Sequence, residues 1–524
     1  MVARKQSKDF SALVQTDAGP ILGTVYEEYR LFQGIPYAAP PVGELRWKSP
    51  QPPEPWSEPR NATKPGNWCP QPQSGLANTP GGGTEDCLFL NVTTPHAASV
   101  GQLKPVMVWL HGGGPVGAGS PFDAHRLALI GDVVVVTLNY RLGIFGFFGY
   151  PGLQGAGGFG LEDQQAALRW VQRNIAAFGG DPQNVTLFGQ SYGGLCTTMQ
   201  LSSPTAVGLF QRAIIQSDPA AANFPRNAFT EGAPALPSLW RSRAEVEALG
   251  QYIVESEGWL DPAKTDPTTA LKILRSLPAT SLIPATAAFS CPVFGNAVQP
   301  ENPAQALRSG HFQQMTVMAG GTRDEARYFV GVGYDFQGRP LQSITAERYA
   351  ALLTESFGEA APEIRERYPL SDYESPGLAW ASVISDGVWA LGNWQQNRAL
   401  AEQVPLYVYE FADRQAPHIA SFLPDVPPGA YHAAELNYLL DFFDQPAQLA
   451  PEQQRLSEQM IRYWTNFART GNPNSSDLPA WPFFDPGKAV PYVQALTTAK
   501  AGGIRGIDLA AEHQLDFWSD LRAG

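Results

Sequence analysis

Ser191 stands out as a residue that could do covalent chemistry, because it lies in the segment Gly189-Gln190-Ser191-Tyr192-Gly193. A serine at a tight strand-to-helix turn exposes its hydroxyl at the helix N-terminus, and small flanking residues let the turn close. Residues 185–188 predict the strand and residues 195–201 the helix. The alternative is a glycine-rich surface turn, since the chain has 51 glycines. The agreement of strand, turn and helix signals favours a nucleophile.

A serine hydroxyl attacks after a base takes its proton, and a third group must orient that base. His432 lies in a loop after the predicted strand 406–411, where hydrolases with this kind of turn place the base. Asp324 and Glu325, after the predicted strand 315–319, both fall between serine and histidine in the chain order such enzymes use. The remaining histidines are interpreted as surface, packing or turn residues: His96, His111, His125, His311, His418 and His513.

A glycine-rich segment could stabilise the negative oxygen that forms when a serine attacks a carbonyl carbon. The segment His111-Gly112-Gly113-Gly114 directly follows the predicted strand 105–110. Glycines let bare backbone N–H groups approach a substrate oxygen, and the amide of Tyr192 adds a donor beside the nucleophile. These donors predict an oxyanion hole. The alternative is a glycine-rich strand end with a structural role.

The elements that must position these residues alternate between buried strands and helices. The runs 105–110 and 133–138 are almost continuously apolar, as expected of strands covered on both faces. Residues 161–178 place apolar side chains at helical spacing, and the turn at 179–182 predicts the end of that helix. With a further strand at 212–216, the alternation predicts an α/β fold with a large, mostly parallel central sheet and helices on both faces.

We interpret residues 1–524 as a single domain of this kind, because large α/β folds keep one sheet and one active site over such lengths. Two stretches, about 219–300 and about 334–404, mix helical periodicity with many proline, glycine and polar residues. We expect them to be insertions that lie over the sheet and shape the substrate gorge. Residues 70–83 predict one long surface loop.

Charge and composition narrow the classes of molecule that the protein can bind. The net charge of −13 argues against nucleic acids and anionic membranes, which are held by clustered lysine and arginine. The chain lacks a run of about 18 apolar residues, and residues 1–9 lack a signal-like apolar region. We therefore expect a cytoplasmic protein, or a secreted one if a leader was removed, that acts on a small molecule as a monomer or small homo-oligomer.

The four cysteines show no CxxC spacing of a metal site and permit three fully paired connectivities. Their pairing is left open by the sequence pattern alone. They are Cys69, Cys87, Cys196 and Cys291.

These residues together resemble type-B carboxylesterases, the family of cholinesterases, bacterial p-nitrobenzyl esterases and fungal lipases. The resemblance runs nearly end to end, because several family segments occur in the family's order. They are FQGIPYA (32–38), EDCLFLN (85–91), NYRLG (139–143), GLEDQ (160–164), FGGDP (178–182), WTNFARTGNP (464–473) and WP (481–482).

The resemblance implies an α/β-hydrolase fold and hydrolysis of a neutral carboxylic ester through an acyl-Ser191 intermediate, with no metal or organic cofactor. It selects Glu325 over Asp324, because the family's acid is the glutamate of a Gly-x-x-x-Asp-Glu-Gly segment, and it implies His432 as the base. The implied oxyanion-hole donors are the amides of Gly113, Gly114 and Tyr192.

The resemblance also implies structural pairs. It implies a disulfide between Cys69 and Cys87, and it leaves Cys196 and Cys291 without family partners. Two buried ion pairs are implied as well, Arg46 with Glu85 and Arg141 with Asp163.

Five positions depart from the family pattern. Gln190 and Tyr192 stand where the family has glutamate and alanine, Pro115 replaces an aromatic residue, and Asp218 and Ala326 replace glycines. We expect these departures to change the shape of the pocket without removing a catalytic group.

Other functions are weighed against ester hydrolysis. Some relatives are non-catalytic adhesion or binding proteins, but these typically lose the nucleophile and carry a membrane segment. The same chemistry could act on a lipid, a carbamate or a thioester. Residues 70–86 contain no tryptophan to hold a quaternary ammonium, which argues against a dedicated choline esterase.

Overall fold

The fold is described from a computed structural model that covers residues 12–74, 81–98, 101–229, 231–236, 238–333, 339–418, 420–442 and 445–523. Residues 230 and 237 of the first predicted insertion are not described, and three further sequence interpretations fall partly or wholly outside the described residues. They concern residues 1–9, residues 75–80 of the predicted surface loop and residues 334–338 of the second predicted insertion.

The strands of the described chain are mostly short. In chain order they are β1 (Leu13–Gln15), β2 (Pro20–Leu22), β3 (Thr24–Val25), β4 (Tyr29–Pro36), β5 (Arg60–Asn61), β6 (Phe89–Pro95), β7 (Lys104–Leu110), β8 (Phe122–Asp123), β9 (Val134–Leu138), β10 (Gly180–Gln190), β11 (Arg212–Gln216), β12 (Arg241–Ser242), β13 (Val293–Phe294), β14 (Val317–Thr322), β15 (Leu406–Phe411), β16 (Asp441–Phe442), β17 (Val493–Leu496) and β18 (Arg505–Ile507).

Helices connect and cover these strands. They are α1 (His125–Gly131), α2 (Gly143–Phe147), α3 (Phe159–Asn174), α4 (Tyr192–Ser202), α5 (Arg243–Ser256), α6 (Pro267–Ser276), α7 (Ala279–Leu282), α8 (Pro303–Ser309), α9 (Arg327–Gly331), α10 (Ala346–Phe357), α11 (Ala361–Arg367), α12 (Pro376–Ile384), α13 (Leu391–Ala401), α14 (Leu436–Leu439), α15 (Pro451–Thr470), α16 (Leu509–Glu512) and α17 (Leu515–Ala523). A π-helical turn, Ser385–Ala390, joins α12 to α13.

A central sheet positions the predicted site. Its strand order is β18-β17-β15-β14-β11-β10-β7-β9-β6-β4-β3. The inner strands from β9 to β17 pair in parallel, and antiparallel pairs occupy both ends. The predicted mostly parallel sheet and α/β class are therefore confirmed. The carboxyl ends of parallel strands meet at one edge of a sheet, and Leu110, Gln190, Gln216 and Thr322 end their strands there.

The sheet separates two apolar cores. In β7, Val106 and Val108 pack into one core while Met107 and Trp109 pack into the other. Alternate residues of a strand face opposite sides of a sheet, so a strand covered on both faces is apolar throughout. This burial on both faces explains why the sequence of β7 is almost continuously apolar.

Two predicted boundaries differ from the structure. The strand predicted at 315–319 begins at Val317 and continues through both glycines to Thr322. Gly320 lies within the strand, and the position requires glycine because a Cβ there would lie 2.4 Å from the ring of Tyr409. The strand before Ser191 is also longer than predicted and begins at Gly180.

Much of the two predicted insertions is helical. Helices α5 to α7 lie within 219–300 and helices α10 to α13 within 334–404. The last of these, α13, packs against β14 and β15, so this part of the stretch covers the sheet directly. In the described part of the chain, no helix is long and apolar enough to cross a membrane.

Candidate active site

Ser191 occupies the sharp turn between β10 and α4. Its backbone has φ 57° and ψ −122°, a conformation that costs free energy for a residue with a side chain. Close packing explains the flanking glycines: a Cβ at Gly189 would lie 2.3 Å from the carbonyl oxygen of Gly193, and one at Gly193 would lie 2.0 Å from that of Leu110. The Ser191 N–H donates to the Gln216 carbonyl at 2.8 Å. The predicted strand, turn and helix are all present.

The glycine segment after β7 crosses in front of this turn. Gly113 and Gly114 have φ of 106° and 68°, which favour glycine. A Cβ at Gly112 would lie 3.0 Å from Cβ of Ser191 and 2.8 Å from the carbonyl oxygen of Gln190. Within the described residues, the N–H groups of Gly113, Gly114 and Tyr192 donate to no protein acceptor. The donors predicted for an oxyanion hole are thus close to Ser191 and available.

The glycine segment is anchored to the loop that carries the disulfide. Gln71 donates to the carbonyl oxygen of Gly117 at 3.0 Å and accepts from the Gly117 N–H at 2.7 Å. Two residues away, Cys69 is bonded to Cys87, the pairing that the resemblance implies. The disulfide loop therefore supports the loop that passes Ser191.

His432 and Glu325 are in direct contact. Nδ1 of His432 lies 2.5 Å from Oε2 of Glu325, whose other oxygen accepts from the Thr322 N–H at 2.8 Å. Both side chains are buried. Because this carboxylate accepts from Nδ1, the acceptor lone pair of a neutral ring lies on Nε2.

Nε2 of His432 faces Gln190 in this structure. The two Nε2 atoms lie 3.2 Å apart. No hydrogen bond from Ser191 Oγ to His432 is found among the described residues, and catalytic hydrogen bonds of ligand-free enzymes often tighten only when substrate binds. The residue that directly precedes Ser191 thus contacts His432, and His432 contacts Glu325.

Asp324, the other acid that the sequence left open, points away from His432. It accepts from Arg414 at 2.9 Å and from the Ala430 N–H at 3.0 Å, and it pairs with Arg327 at 3.3 Å. Burial raises the pKa of Asp324, but the two arginines outweigh burial and hold it below its usual value. Asp324 thus ties the segment before His432 to the loop that bears Glu325.

Aromatic rings enclose the histidine. The ring centroids of Trp389 and Phe329 lie 4.7 Å and 5.1 Å from the centroid of His432. Trp389 belongs to the π-helical turn, within the second predicted insertion, and Phe329 belongs to α9, which follows the loop that bears Glu325. Each of these elements therefore contributes one aromatic ring to the surroundings of His432. These rings exclude water from the Glu325 contact and strengthen it.

A further carboxyl group, Glu435, lies near Glu325. Burial, followed by the charge of Glu325, raises the pKa of Glu435 to about 8. Gln216 donates to its Oε1 at 3.2 Å, while Oε2 has no partner in the described chain. The Glu435 carboxyl is therefore mostly protonated at neutral pH, and Glu325 is the carboxyl group in direct contact with His432.

His111 keeps the structural role predicted from its sequence. Its Nδ1 lies 2.9 Å from the carbonyl oxygen of Gly112, and its ring stacks on Tyr140 at 4.4 Å. Burial lowers the pKa of His111 to about 4, so the ring is neutral. The two implied ion pairs are confirmed: Arg46 pairs with Glu85 at 2.5 Å and Arg141 with Asp163 at 2.7 Å.

The family departures have distinct surroundings. The Tyr192 ring packs edge-on against Phe147 at 6.0 Å, and its hydroxyl has no hydrogen-bond partner in the described residues. Asp218 is buried and accepts from Gln396 at 2.9 Å and from the Ala220 N–H at 2.7 Å. Burial raises the pKa of Asp218 to about 6.

At Ala326, φ is −76°, so the position does not require the glycine that the family has there. Its N–H donates to the Ser385 hydroxyl at 3.0 Å. This contact ties the acid loop to the π-helical turn.

Three site residues were missed or underestimated by sequence reasoning. Gln190 was identified as a departure without its contact to His432, and Glu435 and Trp389 were given no role. Their partners are distant in sequence, 242 residues in the case of Gln190 and His432, so no local pattern indicates the contact. The position of Glu435 three residues after His432 was the one local signal.

Comparisons with known proteins agree with this geometry. Residues 11–518 match the carboxylesterase family. The chain is 33% identical to the pyrethroid hydrolase Ces2a of Mus musculus, over 93% of this chain and 86% of that protein. It is 34% identical to the para-nitrobenzyl esterase of Bacillus subtilis (strain 168), over 90% and 92%.

Among solved structures, a thermophilic PNB esterase superposes with a TM-score of 0.75 at 29% identity, covering 97% of this chain and 100% of that one. The predicted α/β-hydrolase fold and family resemblance are thereby confirmed. The chain belongs to the carboxylesterase family and is a carboxylic ester hydrolase.

Proposed function

We propose that this esterase hydrolyses neutral carboxylic esters through an acyl-Ser191 intermediate, with His432 as the base and Glu325 as the group that orients it. The strained turn at Ser191 is the observation that carries the proposal. A turn of this kind persists when the surroundings enforce it, and the residues packed around it include N–H groups without a protein acceptor and an imidazole in contact with a carboxylate.

Acylation begins when Ser191 Oγ bonds to the carbonyl carbon and its proton passes to Nε2 of His432. The carbonyl electron pair moves to the oxygen. As this intermediate collapses, the bond to the alcohol oxygen breaks and the proton on Nε2 goes to that oxygen. Water then repeats the sequence on the acyl enzyme, again giving its proton to His432, and releases the carboxylic acid.

The N–H groups of Gly113, Gly114 and Tyr192 stabilise the negative oxygen in this scheme. Tyr192 is the first residue of α4, so the positive end of that helix adds to the effect. Loss of one such donor typically costs about 10²–10³ in rate. Substitution of Tyr192 leaves its amide in place, whereas replacing either glycine forces a left-handed backbone on a residue with a Cβ.

The decisive experiment compares wild-type protein and Ser191→Ala on p-nitrophenyl acetate. The proposal requires a fall in kcat of at least about 10⁴-fold, because the acyl intermediate cannot form. Ser203 is the control, since it is a buried serine whose hydroxyl contacts Val298 and Gln165. Ser203→Ala should retain turnover. Wild-type turnover by the Ser191 variant would refute the mechanism.

The preferred substrate within the neutral esters depends on the walls of the pocket. We propose that residues 1–524 form one domain and that the stretches 219–300 and 334–404 shape the gorge, since Trp389 of the second stretch already contacts His432. A series from p-nitrophenyl acetate to palmitate tests this proposal. A sharp short-chain optimum indicates a closed pocket, and activity on long chains indicates an open one.

A further inference from the structure

Gln190 makes the contact that the hydrolytic mechanism leaves unexplained. It is the last residue of β10, it is 3% exposed, and its Nε2 lies 3.2 Å from Nε2 of His432. Its Oε1 lies on the other side, 3.3 Å from the position that a Cβ would take at Gly112. The side-chain amide is therefore enclosed between the imidazole and the glycine segment.

The protonation of His432 fixes the direction of this hydrogen bond. Glu325 accepts from Nδ1, so in the neutral ring Nε2 carries a lone pair and can only accept. The amide NH₂ of Gln190 is the donor that faces it. Nε2 is also the atom that must take the proton of Ser191. In the resting enzyme this acceptor is therefore engaged by the side-chain amide of Gln190.

The titratable groups around His432 come from three elements, and a fourth element presents an uncharged side chain. Glu325, in the loop after β14, is the carboxylate in contact with the ring. Glu435, one turn beyond His432, is held protonated by burial. Tyr328 of α9 lies 6.4 Å away between ring centroids, and burial keeps its phenol neutral by raising its pKa. The fourth element, β10, presents Gln190, so Glu325 is the one carboxyl group in contact with the imidazole within the described residues.

We propose that Gln190 is a positioning residue of the hydrolytic reaction: its uncharged amide donates to Nε2 of neutral His432 and keeps the base unprotonated at pH values where a carboxylate at this position would hold a proton on it. This inference rests on the proposed roles of Ser191 and His432. It assigns a function to the glutamine that directly precedes Ser191.

A second carboxylate beside Nε2 would share a proton with the imidazole. An opposite charge within about 4–6 Å favours the charged form by about 1–3 pH units. The reactive enzyme needs Nε2 free of a proton, so the acidic limb of kcat/KM moves to higher pH whichever of the two groups carries the proton. An amide cannot bind this proton.

The test is the pH dependence of kcat/KM for p-nitrophenyl acetate in wild-type protein, Gln190→Glu and Gln190→Met. We expect the acidic limb of Gln190→Glu to move up by about 1 unit or more, because a negative charge then faces Nε2. Gln190→Met keeps the length and removes the donor. The acidic limb of Gln190→Met should move up by about half a pH unit, which is the effect of losing one hydrogen bond to the neutral ring.

Gln200→Glu is the matched control. Gln200 is also a buried glutamine, but it lies in α4 and donates to Leu161 and Gln164, so its carboxylate variant should keep the wild-type limb. A limb in Gln190→Glu that coincides with wild type within 0.2 unit overturns the proposal. If that variant does not fold, an unshifted limb in Gln190→Met overturns it instead. Failure of the catalytic assignment is distinguishable, because then Ser191→Ala retains turnover.

Discussion

Two buried histidines of this enzyme illustrate how the partners of an imidazole decide its role. His432 contacts one carboxylate, Glu325, and one neutral amide, Gln190. His513 lies between two carboxylates: Nδ1 contacts Asp386 at 2.6 Å, and Nε2 contacts Glu410. Both rings are about 4% exposed. The difference between them is therefore the second partner and not the degree of burial.

The second carboxylate turns His513 into a fixed cation. Burial alone would lower the pKa of His513, but Glu410 and Asp386 outweigh it and raise the pKa to about 10. A ring that is already protonated on both nitrogens cannot act as a base at neutral pH. His513 instead joins the C-terminal segment to β15 and to the π-helical turn, while His432 keeps a nitrogen that can accept a proton.

The largest expected effect comes from removing the ring that can accept a proton. His432→Gln should lower kcat/KM for p-nitrophenyl acetate by about 10⁴-fold or more, because Ser191 then has no base. The protein should remain folded, since Glu325 still accepts from the Thr322 N–H. Activity within tenfold of wild type would contradict the difference drawn between the two histidines, because it would show that His432 does not act as the base.

His513→Leu should instead act on stability. Removing one partner of a buried charge cluster typically costs about 3–5 kcal/mol, because Asp386 loses its cationic partner and Glu410 keeps only Arg323. Urea unfolding measures this loss, and kcat of the folded fraction should stay within a fewfold of wild type. Adding Asp386→Asn and Glu410→Gln to the variant should recover part of the stability. Loss of kcat without loss of stability would show that the roles of the two histidines were reversed.

The pH dependence of stability separates the two rings further. The folded-state pKa of His513 is raised from 6.5 to about 10, so its contribution is fully present below pH 6.5 and is lost as pH rises towards 10. Between pH 7 and pH 9 the wild type should lose up to about 2 kcal/mol more than His513→Leu does. Urea midpoints at the two pH values give this difference. Equal losses would mean that His513 is not charged.

Arg323 provides the smallest and most specific test, because it connects the two regions. It pairs with Glu410 at 3.2 Å and with Glu512, and it directly precedes Asp324 and Glu325. Arg323→Gln should lower stability by about 1 kcal/mol, since the pairs are partly exposed, and should change kcat by less than threefold. A fall in kcat of more than tenfold would show that the His513 cluster controls the acid loop.

The sequence predicted the parts of the site that depend on local chain geometry. The strand, turn and helix around Ser191 and the glycine segment at 111–114 follow from residue types that few other backbones accommodate. Chain order limited the acid to Asp324 or Glu325, but the pattern could not separate them. The choice depends on Arg327 and Arg414, which hold Asp324 away from the ring.

Long-range contacts were beyond prediction from residue spacing. His513 lies between Glu512 and Gln514 near the C-terminus, and nothing local indicates partners 127 and 103 residues earlier in the chain. The end of β14 was also misplaced, because glycine has low strand propensity. The ring of Tyr409, on a neighbouring strand, excludes a side chain at Gly320.

Gly112 has a practical consequence for anyone who wishes to engineer this esterase. A methyl group there would collide with the carbonyl of Gln190 and with Cβ of Ser191, both on a turn that cannot retreat. A mutant library that randomises position 112 will therefore consist largely of inactive variants. Pro115, which is partly exposed, and Tyr192, whose hydroxyl has no hydrogen-bond partner among the described residues, are better positions at which to diversify substrate range.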